Sequence, residues 1–407
     1  MQTRRASTTW LFKAWFWRPP RPHGEALHDR RVSPLELLYD LVFAAAIAQS
    51  GRHLATHVSA GGLFEFAAVF SLIWMAWTNG TLYLELHGGN DGRTRTWIFI
   101  QIGILAIMAA FTGGGAGAAF ALAYAAFLVV MTWLWYEVRL RDVAAERLQF
   151  LQDTGRYVIA MSASVLVMLA TVFLPGELRI AVWALLAAGW IVLLSFIGRS
   201  PVGLSQGMAP TDSLVDRFGT FTLIVLGEVV FGVVEGLAES PHDPLTVATA
   251  MIALVIGFGF WWIYFDVVGG RRPKGDGGSL ANWILSHYPI ALSIAAAGEG
   301  MVGLLEHAHD ESTPAATAWL LSGAVALGMI AVIVTMRAIA DARLAGPYRV
   351  IAIAMAAGAV ISIAVGWARP APWLLALLLM LVLGLVWAVA VREFLVAGAW
   401  DSEPAAG

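Results

Sequence analysis

Three acidic residues stand inside stretches of the sequence that are otherwise apolar. They are Asp40 in LLYDLVF, Glu228 in VLGEVV and Glu299 in AAGEGM. If these stretches cross a membrane, a charge near the bilayer centre costs about 2.5–3.5 kcal/mol on insertion scales. Two acids close together at low dielectric also favour holding a proton, which suits proton uptake and release. The chemistry predicted for these residues is therefore the binding of protons or ions.

Three polar residues lie at similar depths in the half of the predicted spans that faces the outside, and we call them the outer layer. With a rise of about 1.5 Å per residue, Glu228 lies about 22 Å and Glu299 about 25 Å from the start of its helix. Gln49 falls at a similar depth in the first span. Gly232 and Gly236 follow Glu228 at a spacing that is typical of close helix packing. The outer layer is thus predicted to place two carboxyl groups beside closely packed helices.

An inner layer contains His287, which lies about 8 Å inside its helix. Gln101 is its counterpart in the third span, while Asp266 and Glu85 close the inner ends of the eighth and second spans. Histidine suits proton relay near neutral pH, although a lone intramembrane histidine is equally well explained as a hydrogen-bonded packing residue. Pro289 predicts a kink in the same helix.

The two acidic residues at the start of the first span, Glu36 and Asp40, are explained differently. Ser33 and Glu36 form a predicted capping box, and SLVD at 213–216 repeats the device in the second half. Asp40 lies one turn further on and needs a partner. Arg217, at a similar inner depth, is the predicted ion-pair partner. A buried pair that fixes the interface between the halves and a gating or ion-binding role both remain open.

The elements that must position these residues are membrane-spanning helices. The 407-residue chain is 59% hydrophobic and 13% charged, whereas soluble domains are about 25% charged. About twelve apolar runs of helical length lie between Ser33 and Phe394, without the ten-residue alternation of a barrel. The predicted fold is an all-α polytopic membrane protein, with the lipid bilayer as its surroundings.

Charge sidedness supports the same number of spans. With the N-terminus inside and twelve spans, only Arg52, Arg179 and Arg369 fall outside, which leaves 22 of the 25 Lys and Arg residues inside. Both termini are therefore predicted to be cytoplasmic. The loop EHAHDE (306–311) is interpreted as a solvated acidic loop, with a metal site as the weaker alternative because no fixed ligand spacing is present.

The two halves of the sequence resemble each other. SPLE and SLVD lie 180 residues apart, and WIFIQ and WILSH lie 186 residues apart. Because six spans is an even number, both halves share one orientation, as in transporters built from parallel repeats. The predicted divisions are a basic and aromatic N-terminal segment at 1–32, a first six-helix repeat at 33–198, a cytoplasmic linker at 199–212, a second six-helix repeat at 213–394 and a cytoplasmic tail at 395–407.

Four segments together resemble the bacterial low temperature requirement A (LtrA) family. They are PLELLYDLVFAAAIAQ (34–49), DRFGTFTLIVLGEVVFGV (216–233), WWIYFD (261–266) and HYPIALSIAAAGEG (287–300). The resemblance implies a multi-pass bacterial inner-membrane protein. The family name records cold-dependent growth and no reaction, so the resemblance supplies no substrate.

Three functions are compatible with this pattern. The leading hypothesis is a secondary transporter of an unknown small solute or ion, possibly coupled to protons, with a pathway through Asp40, Arg217, Glu228, Asp266, His287 and Glu299 and secondary positions at Gln49, Glu85 and Gln101. The alternatives are a membrane-embedded enzyme of lipid or envelope metabolism and a structural or sensory membrane protein. No catalytic residue, metal site, cofactor or nucleic-acid partner is predicted, because no phosphate loop, dinucleotide fingerprint or catalytic triad is present.

Overall fold

A computed structural model describes residues 15–25, 32–56, 58–113, 115, 117–199, 210–341 and 344–398. Within these residues it contains twelve long α-helices and no β-strand. The helices are α1 Pro34–Thr56, α2 Ala60–His87, α3 Gly92–Thr112, α4 Ala118–Ala144, α5 Leu151–Thr171, α6 Gly176–Arg199, α7 Asp212–Glu239, α8 Pro244–Phe265, α9 Gly277–Glu306, α10 Ala315–Met336, α11 Ala345–Ala368 and α12 Pro372–Val396. The predicted all-α class is therefore confirmed.

Eleven of these helices, α2 to α12, have the length and apolar composition of membrane spans. The exception in the described part of the chain is α1, whose 23 residues include Glu36, Asp40, Gln49 and Arg52. Such residues lower its mean hydropathy below that of its neighbours. The architecture is that of a polytopic membrane protein, whereas the parallel repeat and the cytoplasmic location of both termini stay predictions.

The chain divides into two compact units. Unit 1 comprises Met1–Ala46 and Ser71–Leu214, and unit 2 comprises Ile47–Phe70 and Val215–Gly407. The outer ends of α1 and α2 are thus grouped with unit 2, although the rest of both helices belongs to unit 1. The repeat boundaries at 33–198 and 213–394 stay a prediction.

In unit 1, α4 packs against α3 and α5, and α5 packs against α6. Aromatic side chains fill much of its interior, and their indole N–H groups find hydrogen-bond acceptors on other helices. Trp135 donates to the Asn79 side-chain oxygen at 2.9 Å, and Trp190 donates to the Ser164 hydroxyl at 3.0 Å. These bonds satisfy polar atoms that lipid could not satisfy.

The N-terminal segment also enters unit 1 at its described end. His23 is only 2% exposed, and its ring Nδ1 lies 2.7 Å from the fully buried carboxylate of Asp142. The His23 backbone N–H donates to the same carboxylate at 2.9 Å. The sequence pattern predicted a basic and aromatic segment at 1–32 and gave no signal for this buried pair at the end of α4.

In unit 2, α9 lies at the centre of the packing. It contacts α8 and α10, while α10 contacts α11 and α11 contacts α12. Thirteen consecutive residues of α9, from Ser293 to Leu305, are buried. A helix that is buried on every side has no lipid-facing surface there, so the polar residues it carries face protein.

Candidate ion-binding site

The outer carboxyl groups Glu228 and Glu299 come together in unit 2, on α7 and α9. Both are largely buried, at 7% and 8% exposed, and they lie close enough to interact electrostatically. Two glycines bring the helices together: a Cβ at Gly232 would collide with the carbonyl of Gly298, and a Cβ at Gly298 would lie 2.6 Å from the carbonyl oxygen of Glu228. The backbones of α7 and α9 therefore touch beside the two acids.

The Gly-x-x-x-Gly spacing on α7 has the predicted effect. A Cβ at Gly236 would lie 3.1 Å from the Cα of Val302, one turn beyond Glu299 on α9. Small residues at this spacing let two helices approach closely in a membrane. The glycine pattern that flanks Glu228 is thus explained by its contact with α9.

The outer end of α1 completes the site. A Cβ at Gly51 would collide with the carboxylate oxygen Oε1 of Glu299, so that carboxyl group lies directly against the bare backbone of α1. The next residue, Arg52, is exposed and interacts electrostatically with both Glu228 and Glu299. Gln49, the predicted third member of the outer layer, is half-buried in the same segment.

Sequence reasoning missed Gly51 and Arg52 as members of this site. One signal for Arg52 was available, since it is one of only three cationic residues that the predicted topology places outside. A cation in that position next to an intramembrane acid is a candidate counter-charge. No sequence pattern identifies Gly51, because its role depends on the side chain of a residue 248 positions later.

His287 lies in a separate inner cluster of unit 2. Its Nδ1 is 2.7 Å from the carbonyl oxygen of Trp283, so Nδ1 carries the proton and donates. Its Nε2 is then left to accept from the hydroxyl of Tyr264 at 3.0 Å. Both nitrogens are satisfied in the neutral tautomer, which fits the packing interpretation and also provides a short donor–acceptor chain. The helix α9 continues through Pro289.

The other two inner candidates of unit 2, Asp266 and Arg217, are surrounded by protein atoms. Asp266 follows the last residue of α8, as predicted, and accepts from the indole N–H of Trp387 on α12 at 2.8 Å. Arg217, near the start of α7, is fully buried. Its pairing with Asp40 stays a prediction.

In unit 1, Asp40 is fully buried and accepts a hydrogen bond from the indole N–H of Trp77 at 2.8 Å. Its neighbour Tyr39 donates to Gln101 at 2.8 Å. Gly80 leaves room for that Tyr39 hydroxyl, with which a Cβ would collide. The adjacent residues Tyr39 and Asp40 therefore connect α1 to α3, through Gln101, and to α2, through Trp77.

The two predicted capping boxes have different outcomes. The box at Ser33 and Glu36 is confirmed, because the Glu36 amide donates to the Ser33 hydroxyl oxygen at 3.3 Å and the Ser33 amide donates to the Glu36 carboxylate at 3.4 Å. The box at 213–216 is wrong, since α7 begins at Asp212 and Ser213 lies inside it.

Glu85 is the physical reason for that difference. Its buried carboxylate accepts from the hydroxyls of Thr211, at 2.6 Å, and Ser213, at 2.7 Å. The Thr211 hydroxyl oxygen in turn accepts from the amide of Leu214 at 3.2 Å, so Thr211 caps the helix. Burying a carboxylate without hydrogen-bond donors costs free energy. The Ser213 hydroxyl therefore donates to Glu85 and does not cap the helix.

The outer loops of unit 2 are joined by a polar contact. Asp243 caps α8, and the hydrogen bond from His309 at 2.7 Å, followed by bonds from Thr246 and Leu245, holds the pKa of the Asp243 carboxyl well below its usual range. The described residues contain no group of three His, Asp or Glu side chains that could hold a metal ion. Asp310 and Glu311 are exposed, as expected of a solvated loop.

The Trp77–Asp40 bond can be tested by comparing two buried tryptophans of unit 1. Trp77→Phe removes a donor from a carboxylate, whereas Trp183→Phe removes a donor from the hydroxyl of Thr171, 3.0 Å away. We expect a loss of about 1.5–3 kcal/mol for the first and about 0.5–1.5 kcal/mol for the second, because bonds to charged groups are stronger. Both variants lose the same ring atoms, so equal losses of thermal stability in detergent would contradict a charged Asp40.

The sequence is similar to a known protein family over most of its length. The family model described as "Bacterial low temperature requirement A protein (LtrA)" matches residues 31–389. An uncharacterized protein of Rhizobium meliloti (strain 1021) is 23% identical over 262 residues, which cover 59% of this chain and 60% of that protein. The chain therefore matches somewhat less than two thirds of the length of this curated relative. No solved structure matches the chain.

Proposed function

The chain belongs to the bacterial low temperature requirement A (LtrA) family of membrane proteins, and we propose that it is a proton-coupled secondary transporter of the bacterial inner membrane. Its cargo is a small solute or ion. The two halves, 33–198 and 213–394, form parallel six-helix repeats with both termini in the cytoplasm. The distribution of Lys and Arg and the repeated landmarks support this arrangement.

The observation that carries the proposal is the outer carboxyl pair. Glu228 and Glu299 are buried side by side in unit 2, and both interact with Arg52. Glu235 also acts on both carboxyl groups, so three acids surround a single arginine. Each proton that binds lowers the net negative charge of the site, and a less charged site costs less to enclose within the membrane. Proton occupancy can therefore decide whether the site closes.

Helix packing does not explain why two acids lie at this contact, whereas proton-coupled transport does. Helix contacts beside the acids are already made by glycines, namely Gly232 with Gly298 and Gly236 with α9. Two carboxyl groups are not needed to hold these helices together, and they oppose each other when both are ionised. A pair that takes up and releases a proton accounts for acids at a contact that apolar residues would stabilise better.

The test is reconstitution of the full chain into liposomes loaded with a fluorescent pH indicator. Amino acids, sugars, organic acids, nucleosides and monovalent and divalent cations are added in turn, with and without an imposed proton gradient. We expect one class to change the internal pH and to accumulate when the gradient is imposed. If folded, monodisperse protein moves no protons and accumulates no solute from any class, the transporter proposal fails.

A further inference from the structure

A cavity of about 870 Å³ lies in unit 1, bordered by the N-terminal segment, the start of α1 and the loop from α2 to α3. Its lining includes four arginines, Arg18, Arg21, Arg93 and Arg95, against the carboxylates of Glu36 and Asp91. The lining therefore carries a net positive charge. The predicted orientation places this cavity at the cytoplasmic surface of the membrane.

Both carboxylates in the lining are already engaged by helix starts. Glu36 accepts from the hydroxyl of Ser33 at 2.8 Å, and Asp91 accepts from the amide of Thr94 at 2.8 Å. The first turns of α1 and α3 thus border the same cavity, and each adds the partial positive charge of a helix N-terminus. The two carboxylates keep their charge, and four arginines against them leave the lining net positive.

Arg95 is positioned by neutral groups. It donates to the side-chain oxygen of Asn90 at 2.8 Å, and its guanidinium lies 5.7 Å from the ring centre of Trp15. These contacts orient the guanidinium without cancelling its charge, which suits phosphate recognition. Arg93 differs, because it forms an ion pair with Glu137 and also contacts the Tyr83 hydroxyl. Arg21 donates to the carbonyl oxygen of Glu85 at 2.8 Å.

His87 holds the N-terminal segment against the loop from α2 to α3 at the edge of the cavity. Its Nδ1 lies 2.8 Å from the carbonyl oxygen of Arg21, to which it donates. Its ring is 1% exposed and packs against the rings of His23, at a centroid distance of 4.4 Å, and Trp135, at 5.1 Å. His87 therefore fixes the position of Arg21 beside the cavity.

Aromatic residues at the cavity indicate contact with lipid. Trp15 packs on the start of α3, where a Cβ at Gly92 would lie 2.7 Å from its ring. Trp17, two residues further on, is 80% exposed. Exposed tryptophans next to arginines are typical of a surface that lies in the membrane interface.

From these observations we propose that the cavity binds the phosphate group of an anionic phospholipid from the cytoplasmic leaflet. Arg18 and Arg95 contact the phosphate, and the starts of α1 and α3 add to the attraction. A basic pocket beside membrane-spanning helices suits such a headgroup, and the inner leaflet supplies it at high local concentration. The site is independent of the outer carboxyl pair and of the transport proposal.

The test is lipid binding to the full chain purified in a neutral detergent. Phosphatidylglycerol and phosphatidylcholine with identical acyl chains are titrated separately, and binding is followed by native mass spectrometry and by the apparent Tm. Inorganic phosphate and glycerol phosphate form the soluble arm. We expect phosphatidylglycerol to bind at least about tenfold more tightly than phosphatidylcholine, with Arg18→Gln and Arg95→Gln each weakening it by about tenfold.

Arg156→Gln is the matched control, because Arg156 is 63% exposed on the same predicted side and does not border the cavity. It is expected to bind phosphatidylglycerol within about twofold of the wild type. Competition by glycerol phosphate would identify a phosphate site that soluble ligands can also fill, and its absence would identify a site that needs the lipid. Equal loss in the control and the two cavity variants, or no preference for the anionic lipid, would overturn the proposal.

Discussion

Glu299→Gln is expected to reduce solute-coupled proton movement in proteoliposomes to the level of protein-free liposomes. An amide has nearly the size of the carboxyl group but binds no proton in this pH range. The substituted side chain still fits against Gly51, so the fold should be kept. The measurement is the rate of internal pH change at a saturating concentration of the transported solute, compared with the wild type in the same liposomes.

Glu306→Gln provides the control for that loss. Glu306 is the last residue of the same helix α9 and is exposed, so its substitution should leave the rate unchanged. Glu299→Asp keeps a carboxyl group at a shorter reach and should retain part of the rate. A Glu299→Gln protein that moves protons with its solute at the wild-type rate would show that the outer carboxyl pair is structural, and the transport proposal would lose its main support.

Gly298→Ala is expected to cause the largest loss of stability among single-methyl additions in α9. The new Cβ would lie 2.6 Å from the carbonyl oxygen of Glu228 and 2.8 Å from its carbonyl carbon. Backbone atoms cannot rotate away as a side chain can, so α7 and α9 must separate. Overpacking of this kind costs about 1–3 kcal/mol or more. The measurement is the apparent Tm in detergent.

Gly323→Ala is the matched substitution for the stability experiment. Gly323 lies in α10, and a Cβ there would meet no atom within 4 Å. Because alanine favours a helix over glycine by about 1 kcal/mol, this variant should be as stable as the wild type or more stable. If Gly298→Ala unfolds at the same temperature as Gly323→Ala, the close contact between α7 and α9 is not present.

The number and positions of the helices could be predicted from the sequence because the bilayer imposes one requirement on every span. Each span needs about 20 apolar residues, and eleven of the twelve helices meet this need, whereas α1 carries several polar residues. Local chemistry was equally predictable at Ser33 and Glu36, whose capping box involves residues three positions apart. The packing of Gly232 and Gly236 followed from spacing on one helix face.

The partners of the polar residues were less predictable because they come from distant parts of the chain. Ser213 has the sequence context of a helix cap, yet it donates to Glu85, 128 residues earlier. His23 lies in the basic and aromatic N-terminal segment, and it is bonded to Asp142, 119 residues later. The donors that a buried carboxylate needs can come from any part of the chain that the fold places nearby. A local sequence pattern therefore does not identify them.

The contact between Gly51 and Glu299 has a consequence for the biosynthesis of the protein. The outer end of α1 leaves the ribosome 248 residues before the helix that it packs against, which is a delay of about 12–50 s at translation rates of about 5–20 residues per second. During that time Arg52 and the bare backbone at Gly51 lack the carboxyl group that meets them in the folded chain. The contact between the end of α1 and α9 can therefore form only after Glu299 has been synthesised, so α1 reaches its final packing late in the synthesis of the chain.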